Sequence, residues 1–354
     1  MNIKHKGEIM NKLTKVGLSA LAGSLAMVSA HSVEYALTGD MMIKMTSEEG
    51  NEAGASASNG KGIGVDNDLY VNASGELENG WTVSAFAAIN LEATTTANES
   101  SVQLTVGMGS LGSIEFADVW GASSWIDDMS SAIHAYEEPW DSTTHGSLSH
   151  AYGADTQSGS VSYLTPSFDF GGVSASAIFT YDPNSGAGSG GPGAVGSTKQ
   201  SGTNMQLKLA HADSGITVGG GQESSASADT STGNQDEVNS TMYVLLKNGP
   251  IGAVYQEWYK DEASAHGTVG TDYEGEIWGI SFAQGDWAVS YVEQTEAKKA
   301  VGATAAGKEV ELEALTASYT MGAMSIKGGL FETTNPEWTT GKFEATEIAV
   351  SFAF

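Results

Sequence analysis

The residue types best able to do chemistry gather in one stretch, 118–156. His134, His145 and His150 lie there near Ser147, Ser149, Asp141 and Asp155, the components of a nucleophile–base–acid relay. Such a relay needs base and nucleophile within hydrogen-bond reach and a third group to orient the base. No Gly-x-Ser-x-Gly turn leads into a helix, and histidine and serine are ordinary loop residues, so the sequence reads as no enzyme. Asp66-Asn67-Asp68 and Asp127-Asp128 offer the hard oxygen ligands that calcium takes. Neither follows EF-hand spacing, so solvated acids that collect divalent ions loosely are expected, with no bound cofactor. There is no cysteine, which removes disulfides, thiolate metal sites and thiol nucleophiles together. The Gly/Ser-dense run 184–196 reads as an external loop and carries no phosphate-binding motif.

What the stretch does supply is negative charge: Asp118, Asp127, Asp128, Glu137, Glu138 and Asp141. Carboxylates around a narrow aqueous passage favour cations. The same bias runs through the whole chain of 354 residues, whose formal net charge is −28. A surface this acidic repels phosphate and argues against a nucleic-acid partner. All 15 basic residues are lysine.

The N-terminus reads as a secretory signal over residues 1–30. Lys12 and Lys15 form its basic start, Val16 to Val28 its apolar run, and Val28-Ser29-Ala30 its small-residue cleavage site. The run is too short to span a bilayer, and Met10 makes a better start than Met1. Removing residues 1–30 takes four lysines and Glu8 from the 15 lysines and 43 acids, leaving 11 against 42. No later apolar run is long enough for a transmembrane helix, which leaves soluble, fibrous or β-barrel forms for residues 31–354.

The elements that must position the acids alternate like strands. Ile348, Val350, Phe352 and Phe354 fall on one face; Glu347, Ala349, Ser351 and Ala353 fall on the other. Trp81, Val83, Ala85, Ala87 and Ile89 oppose Thr82, Ser84 and Asn90, and Met205, Leu207 and Leu209 oppose Gln206 and Lys208. Tight turns at Asn79-Gly80, 109–112, 212–215, 247–250, 283–286 and 321–323 carry the glycines that short hairpins demand. Long polar connections at 46–64, 118–156, 183–200, 223–236, 261–271 and 333–340 alternate with them. Short turns on one rim and long loops on the other are the plan of an all-β transmembrane antiparallel barrel with about 16 strands. Trp81, Trp287, Tyr35, Tyr319, Phe343 and Phe354 lie near strand ends, where aromatic rings favour the membrane interface. Rivals are a closed-lumen structural or adhesive barrel and a secreted β-sandwich or solenoid; no fixed short repeat supports the solenoid.

Taken together, the sequence resembles the Gram-negative general (diffusion) porin family, particularly its alphaproteobacterial branch. The resemblance rests on the opening strand Val33 to Asp40, the run Gly109-Ser110-Leu111-Gly112-Ser113-Ile114-Glu115-Phe116, the long loop after it, and a closing strand that ends in Phe354. It implies a sixteen-stranded barrel in the outer membrane, a homotrimer among lipid and lipopolysaccharide, passing ions and small hydrophilic solutes. It also implies that 118–156 folds into the lumen as a constriction; Trp120, Trp125, Ile126, Ile133, Tyr136 and Trp140 could pack it on the inner wall. In the family, basic residues commonly arginines face the loop acids, and this chain departs from that pattern. Alternation puts only Lys44, Lys208 and Lys327 on the lumen face, with Asp40. Lys44 and Lys327 fall toward opposite ends of their expected strands, away from the level of the loop. The expectation is therefore a cation-selective pore.

Overall fold

The computed structural model describes residues 33–52, 60–90, 99–119, 124–137, 159–183, 201–225, 236–261, 272–299 and 307–354. The leader reading and much of the long loop lie outside these residues. Within them the alternating segments form strands: β1 (Glu34–Glu52), β2 (Gly60–Glu76), β3 (Thr82–Asn90), β4 (Glu99–Gly107), β5 (Ser113–Val119), β6 (Ser160–Leu164), β7 (Phe168–Asp169), β8 (Val173–Asp182) and β9 (Gly202–His211). They continue as β10 (Ile216–Ser225), β11 (Glu237–Asn248), β12 (Ile251–Asp261), β13 (Asp272–Gln284), β14 (Trp287–Lys298), β15 (Val310–Met321), β16 (Met324–Thr334) and β17 (Gly341–Ala353). All belong to one antiparallel sheet in sequence order. β6 and β7 both pair with β8 and are two parts of one strand, so the barrel has 16 strands. Pro166 lies in the break, where its missing N–H costs the ladder nothing.

Closure is direct. β1 pairs with β17 from Asp40↔Ala353 to Glu52↔Gly341, and with β2 along its other edge. The last residue extends the seam: the Phe354 amide donates to the Gly39 carbonyl at 2.9 Å, and the Gly39 amide donates to the Phe354 carbonyl at 2.8 Å. A Cβ on Gly39 would stand 2.8 Å from the Phe354 ring, so only glycine lets the terminal ring lie on the backbone there.

The alternation sorts side chains into two environments. Met45, Ile63, Met205, Leu207, Ile280, Leu330 and Ile348 stand exposed on the outside, where lipid covers them. Gln206, Gln256, Gln294, Ala349 and Glu347 point inward and are buried. Trp287 and Tyr319 pair on the outer face with ring centroids 4.4 Å apart, as interfacial aromatics should. Phe343 corrects the sequence reading: it lies on the inner face, buried with Tyr136 and Phe331. The rule that aromatics flank strands says nothing about which face they take.

The turns on one rim are as short as expected. Gly215, at φ 69°, shows why: a Cβ there would collide with the Lys247 carbonyl of the next turn. On the other rim the strands overrun the expected loops. The connection expected at 46–64 shrinks to 53–59, because β1 runs for 19 residues and β2 for 17. Above the membrane both faces of a strand meet water, so polar residues such as Ser47 and Lys61 stay in the ladder without a greasy face.

A cation on the lipid face should be expensive. Ile348→Lys, in the middle of β17, is expected to cost about 2–4 kcal/mol, and deleting Phe354 to weaken the seam. Both should lower the fraction of heat-modifiable folded barrel on refolding into vesicles. Thr82→Lys, on the lumen face, should refold normally.

Candidate functional site

The described part of the long loop, 124–137, lies inside the barrel against the inner wall, and each contact follows from a wall residue of inward parity. At its start the Trp125 amide donates to Gln206 Oε1 on β9 at 2.6 Å. The Trp125 ring lies under Lys208 Nζ, 3.9 Å from its centroid. The Met129 amide then donates to Gln256 Oε1 on β12 at 2.8 Å. Further along, the Ala135 amide donates to Ser290 Oγ on β14 at 2.8 Å and to Thr316 Oγ1 on β15 at 3.2 Å. At the far end the Tyr136 hydroxyl donates to Glu347 Oε2 on β17 at 3.2 Å. Lys44 on β1 closes the series, with Nζ 3.2 Å from Glu137 Oε1 and 3.4 Å from Glu347 Oε2. The loop thus follows the wall from β9 round to β1.

Apolar packing holds it in. Ile126 and Ile133 are buried with Tyr243, Leu245, Val254, Trp258, Ile277 and Val292. The wall makes room for them with glycine. A Cβ on Gly221 would stand 3.1 Å from Ile126 Cδ1, and Cβ atoms on Gly252 and Gly279 would each stand 2.9 Å from Ile133. Burying an isoleucine is worth about 1.5–3 kcal/mol, whereas one hydrogen bond nets about 1 kcal/mol. Two isoleucines and the several hydrogen bonds therefore hold the loop inside by similar amounts, and the hydrogen bonds, being directional, fix how it lies.

The acids singled out from sequence have different fates. Asp127 is exposed to the lumen, its Oδ1 accepting the Asp128 amide at 2.9 Å. Asp128 turns to the wall instead, buried, and caps a short 3-10 turn by accepting the Ser130 amide at 2.7 Å. The chain bends at 125–127, and the turn that follows needs an acceptor for its free amide, which Asp128 supplies as its cap. Asp118 belongs to the β5 ladder, in register with Val102, rather than to the loop. Glu137 pairs with Lys44. Glu138, Asp141, Trp120 and Trp140 lie outside the described residues, as do His145, His150, Ser147, Ser149 and Asp155. Across the lumen Asp40 is in register with Asp68, and Asp66 is two residues along the same face. Tyr70 donates to Asp40 Oδ2 at 3.3 Å and stacks on Phe86 at 6.1 Å.

The lysines also differ from expectation. Lys44 does reach the level of the loop, because β1 runs on to Glu52 and leaves it in mid-strand. Lys327 lies near enough to His134 to act on it. Burial holds His134 below the ordinary histidine range; the Glu137 carboxylate opposes this and the Lys327 ammonium adds to it. Burial raises the Tyr136 phenol, with the Glu137 and Glu347 carboxylates adding to it, so it remains a donor. Sequence reasoning missed Gln206, Gln256, Ser290, Thr316, Glu347 and the glycine seats. Their signal is a large amide, or no side chain at all, at an inward position of an otherwise regular strand. Among the described residues, the three acids whose carboxylates come within 4.8 Å of one another are Glu293, Glu311 and Glu313. Asp66 and Asp68, or Asp127 and Asp128, make no such group.

The whole chain can be compared with known proteins. A family model described as Gram-negative porin matches residues 17–354. A search of curated proteins by sequence found no match. Among solved structures, the outer membrane channel DcaP of Acinetobacter baumannii is 11% identical with a TM-score of 0.65, covering 91% of this chain and 98% of that one. The anion-selective porin of Comamonas acidovorans is 12% identical with a TM-score of 0.62, over 91% and 100%. A loop-deletion form of OmpT, an outer membrane protein of Vibrio cholerae, is 13% identical with a TM-score of 0.62, over 92% and 100%.

Filling a glycine seat should displace the loop. Gly279→Val, whose Cβ meets Ile133 first, is expected to cost about 1–3 kcal/mol by pushing on Ile133, and to speed proteolytic nicking between residues 124 and 158 while the barrel stays intact. Acid should act on the same packing. A histidine held below its ordinary value of 6.5 supports the docked loop above that pH, and the support is lost as pH falls below it. Nicking should accelerate between pH 7 and pH 5, and His134→Gln should remove the histidine's share of that change.

Proposed function

Because the chain belongs to the Gram-negative porin family and is an outer-membrane β-barrel, we propose that it is a passive pore for ions and small hydrophilic solutes that prefers cations. The reading includes no enzymatic step: solutes move down their gradients through water, sorted by width and by charge at the loop. The observation that carries the cation preference is the state of the charges at that level. Asp127 is exposed to the lumen, with Asp40, Asp66 and Asp68 on the far side. Of the lumen-facing lysines, Lys44 is matched by two carboxylates, Glu137 and Glu347, while Lys208 on the Trp125 ring and Lys327 near His134 keep their charge and oppose the acids in smaller number. Low-dielectric walls focus the field of the acids that remain. Shared architecture does not decide the sign, since an anion-selective porin has the same fold.

We further propose that it assembles as a homotrimer, as in one similar structure, the trimer form of Vibrio cholerae OmpT. The outer faces of β2–β4 support a protein-covered side. They carry Val65, Leu69, Val71, Ala85, Ala87, Val102 and Leu104 and no aromatic residue, whereas β12–β15 carry Tyr255, Trp278, Trp287, Tyr291 and Tyr319.

Recording in planar bilayers under a KCl gradient tests both. The reversal potential should report cation preference and shrink as salt rises, because the Debye length falls from about 10 Å at 0.1 M to about 3 Å at 1 M. Insertions should close in three equal steps. Chloride preference in dilute salt would overturn the cation reading, and no ohmic conductance at all would make this a closed barrel.

A further inference from the structure

Asp127 is the one acid of the loop segment 124–137 that is exposed to the lumen, and what aims it is on the wall. Gln256 is fully buried on β12, at 0% exposure. Its amide makes four hydrogen bonds. Oε1 accepts from the Met129 amide at 2.8 Å. The two hydrogens of Nε2 are shared among three acceptors, the Ile126 carbonyl at 3.3 Å, the Asp127 carbonyl at 3.1 Å and Thr241 Oγ1 at 3.1 Å, so that one of them is bifurcated. One side chain therefore grips the backbone on both sides of Asp127. The bond to Thr241 steadies the gripping amide in turn, and Thr241 Oγ1 donates to the Glu257 carbonyl at 2.8 Å.

Three other holds on Asp127 are weaker. Its own Oδ1 accepts the Asp128 amide at 2.9 Å, which ties the carboxylate to a neighbour in the same loop and not to the wall. Ile126 holds the neighbouring residue by apolar contact, but such contact is non-directional and leaves the peptide planes free to rotate. The Trp125 end is tied by one amide bond to Gln206 and by the lysine above the ring, one residue further from Asp127. Only an amide can accept from one backbone N–H and donate to two carbonyls at once. Isoleucine burial helps keep the loop in the lumen; the glutamine sets the register of the residue that meets the ion.

We propose that Gln256 is a positioning residue for ion selection: it holds the backbone of 126–129 so that the Asp127 carboxylate faces the permeating ion. The inference rests on the cation-pore reading above and deepens it. Without the amide the loop stays docked, but Asp127 samples several directions and its field at the ion path is averaged down.

The test uses Gln256→Met, which keeps length and volume and loses every hydrogen bond, with Asp127→Asn and the double variant. Each is folded as the full barrel, and heat-modifiable mobility confirms assembly. In Gln256→Met the reversal potential in dilute KCl should shift toward zero and open-channel noise should rise. Asp127→Asn should give the same shift without the noise. The double variant should show no further shift, since the glutamine acts on selectivity through the aspartate. Wild-type reversal potential and noise in Gln256→Met would overturn the proposal, and so would additive shifts in the double variant. A wild-type channel with no cation preference would instead sink the cation reading and leave the pore; noise in Gln256→Met then decides the positioning role alone. Should Gln256→Met fail to assemble, Gln256→Glu, which keeps the acceptor for Met129 but gives up the amide donor, is read by the same criteria.

Discussion

Everything in this molecule follows from one constraint: a backbone crossing hydrocarbon must satisfy its own N–H and C=O groups, because no water is there to do it. A sheet meets that demand only if it has no edges. The seam between β1 and β17, extended by the mutual bonds of Gly39 and Phe354, removes the last two edges. Closure then imposes the rest. Each strand has an outside that meets lipid and an inside that meets water, so the sequence must alternate. The inside is enclosed but aqueous, so it can take polar side chains, and a loop, without the desolvation cost that buries either in an ordinary core.

A loop in a water-filled tube has no automatic reason to stay at the wall. Here the wall supplies the reason in two forms. Glycines at inward positions, Gly221, Gly252 and Gly279, open seats for two isoleucines, which converts a polar surface locally into a small hydrophobic core. Amide and hydroxyl groups at neighbouring inward positions take up the loop's free backbone groups. The middle of the loop is thus held by neutral contacts, indifferent to salt. Its far end is held by Lys44 between two carboxylates, a contact that ions in the channel screen directly. The two ends of the same loop respond differently to the solution that passes it.

Much of this was legible in the sequence, and the reason is periodicity. The face taken by Ile348 or Lys208 follows from counting by two, and the strand number follows from glycine turns such as Gly215. The strand tops were not legible, because above the membrane both faces of β1 are polar and the alternation that marks a strand disappears between Thr46 and Glu52. That loss misplaced Lys44 in depth. Nor could a period of two show that Phe343 faces inward to meet Tyr136, or that Asp128 turns to the wall while Asp127 does not. Those depend on a loop from far along the chain arriving at a given strand. Gln256 is the clearest case. Read along its strand it is one polar residue among many; only the arriving backbone gives it a role.

The charge count is a poor guide to the pore for the same reason. The chain is strongly acidic, but a permeating ion meets only the charges left unpaired at the narrowest level. Lys44 offsets one of the two carboxylate charges of Glu137 and Glu347, and Asp128 is turned to the wall to cap a turn. Many other acids lie on the outer face near the strand tops, among them Glu276, Glu293, Glu313 and Glu332, with water and a barrel wall between them and the lumen. Lys44 is neutralised by carboxylates, whereas Lys208 keeps its charge on an aromatic face and Lys327 keeps its own beside His134. Among the described residues of the loop, Asp127 is the carboxylate left exposed, and β1 and β2 carry a short acidic row of their own. Ion preference in this barrel is therefore a matter of which few groups the packing leaves free, and a neutral residue that decides where one of them points can matter as much as the charge itself.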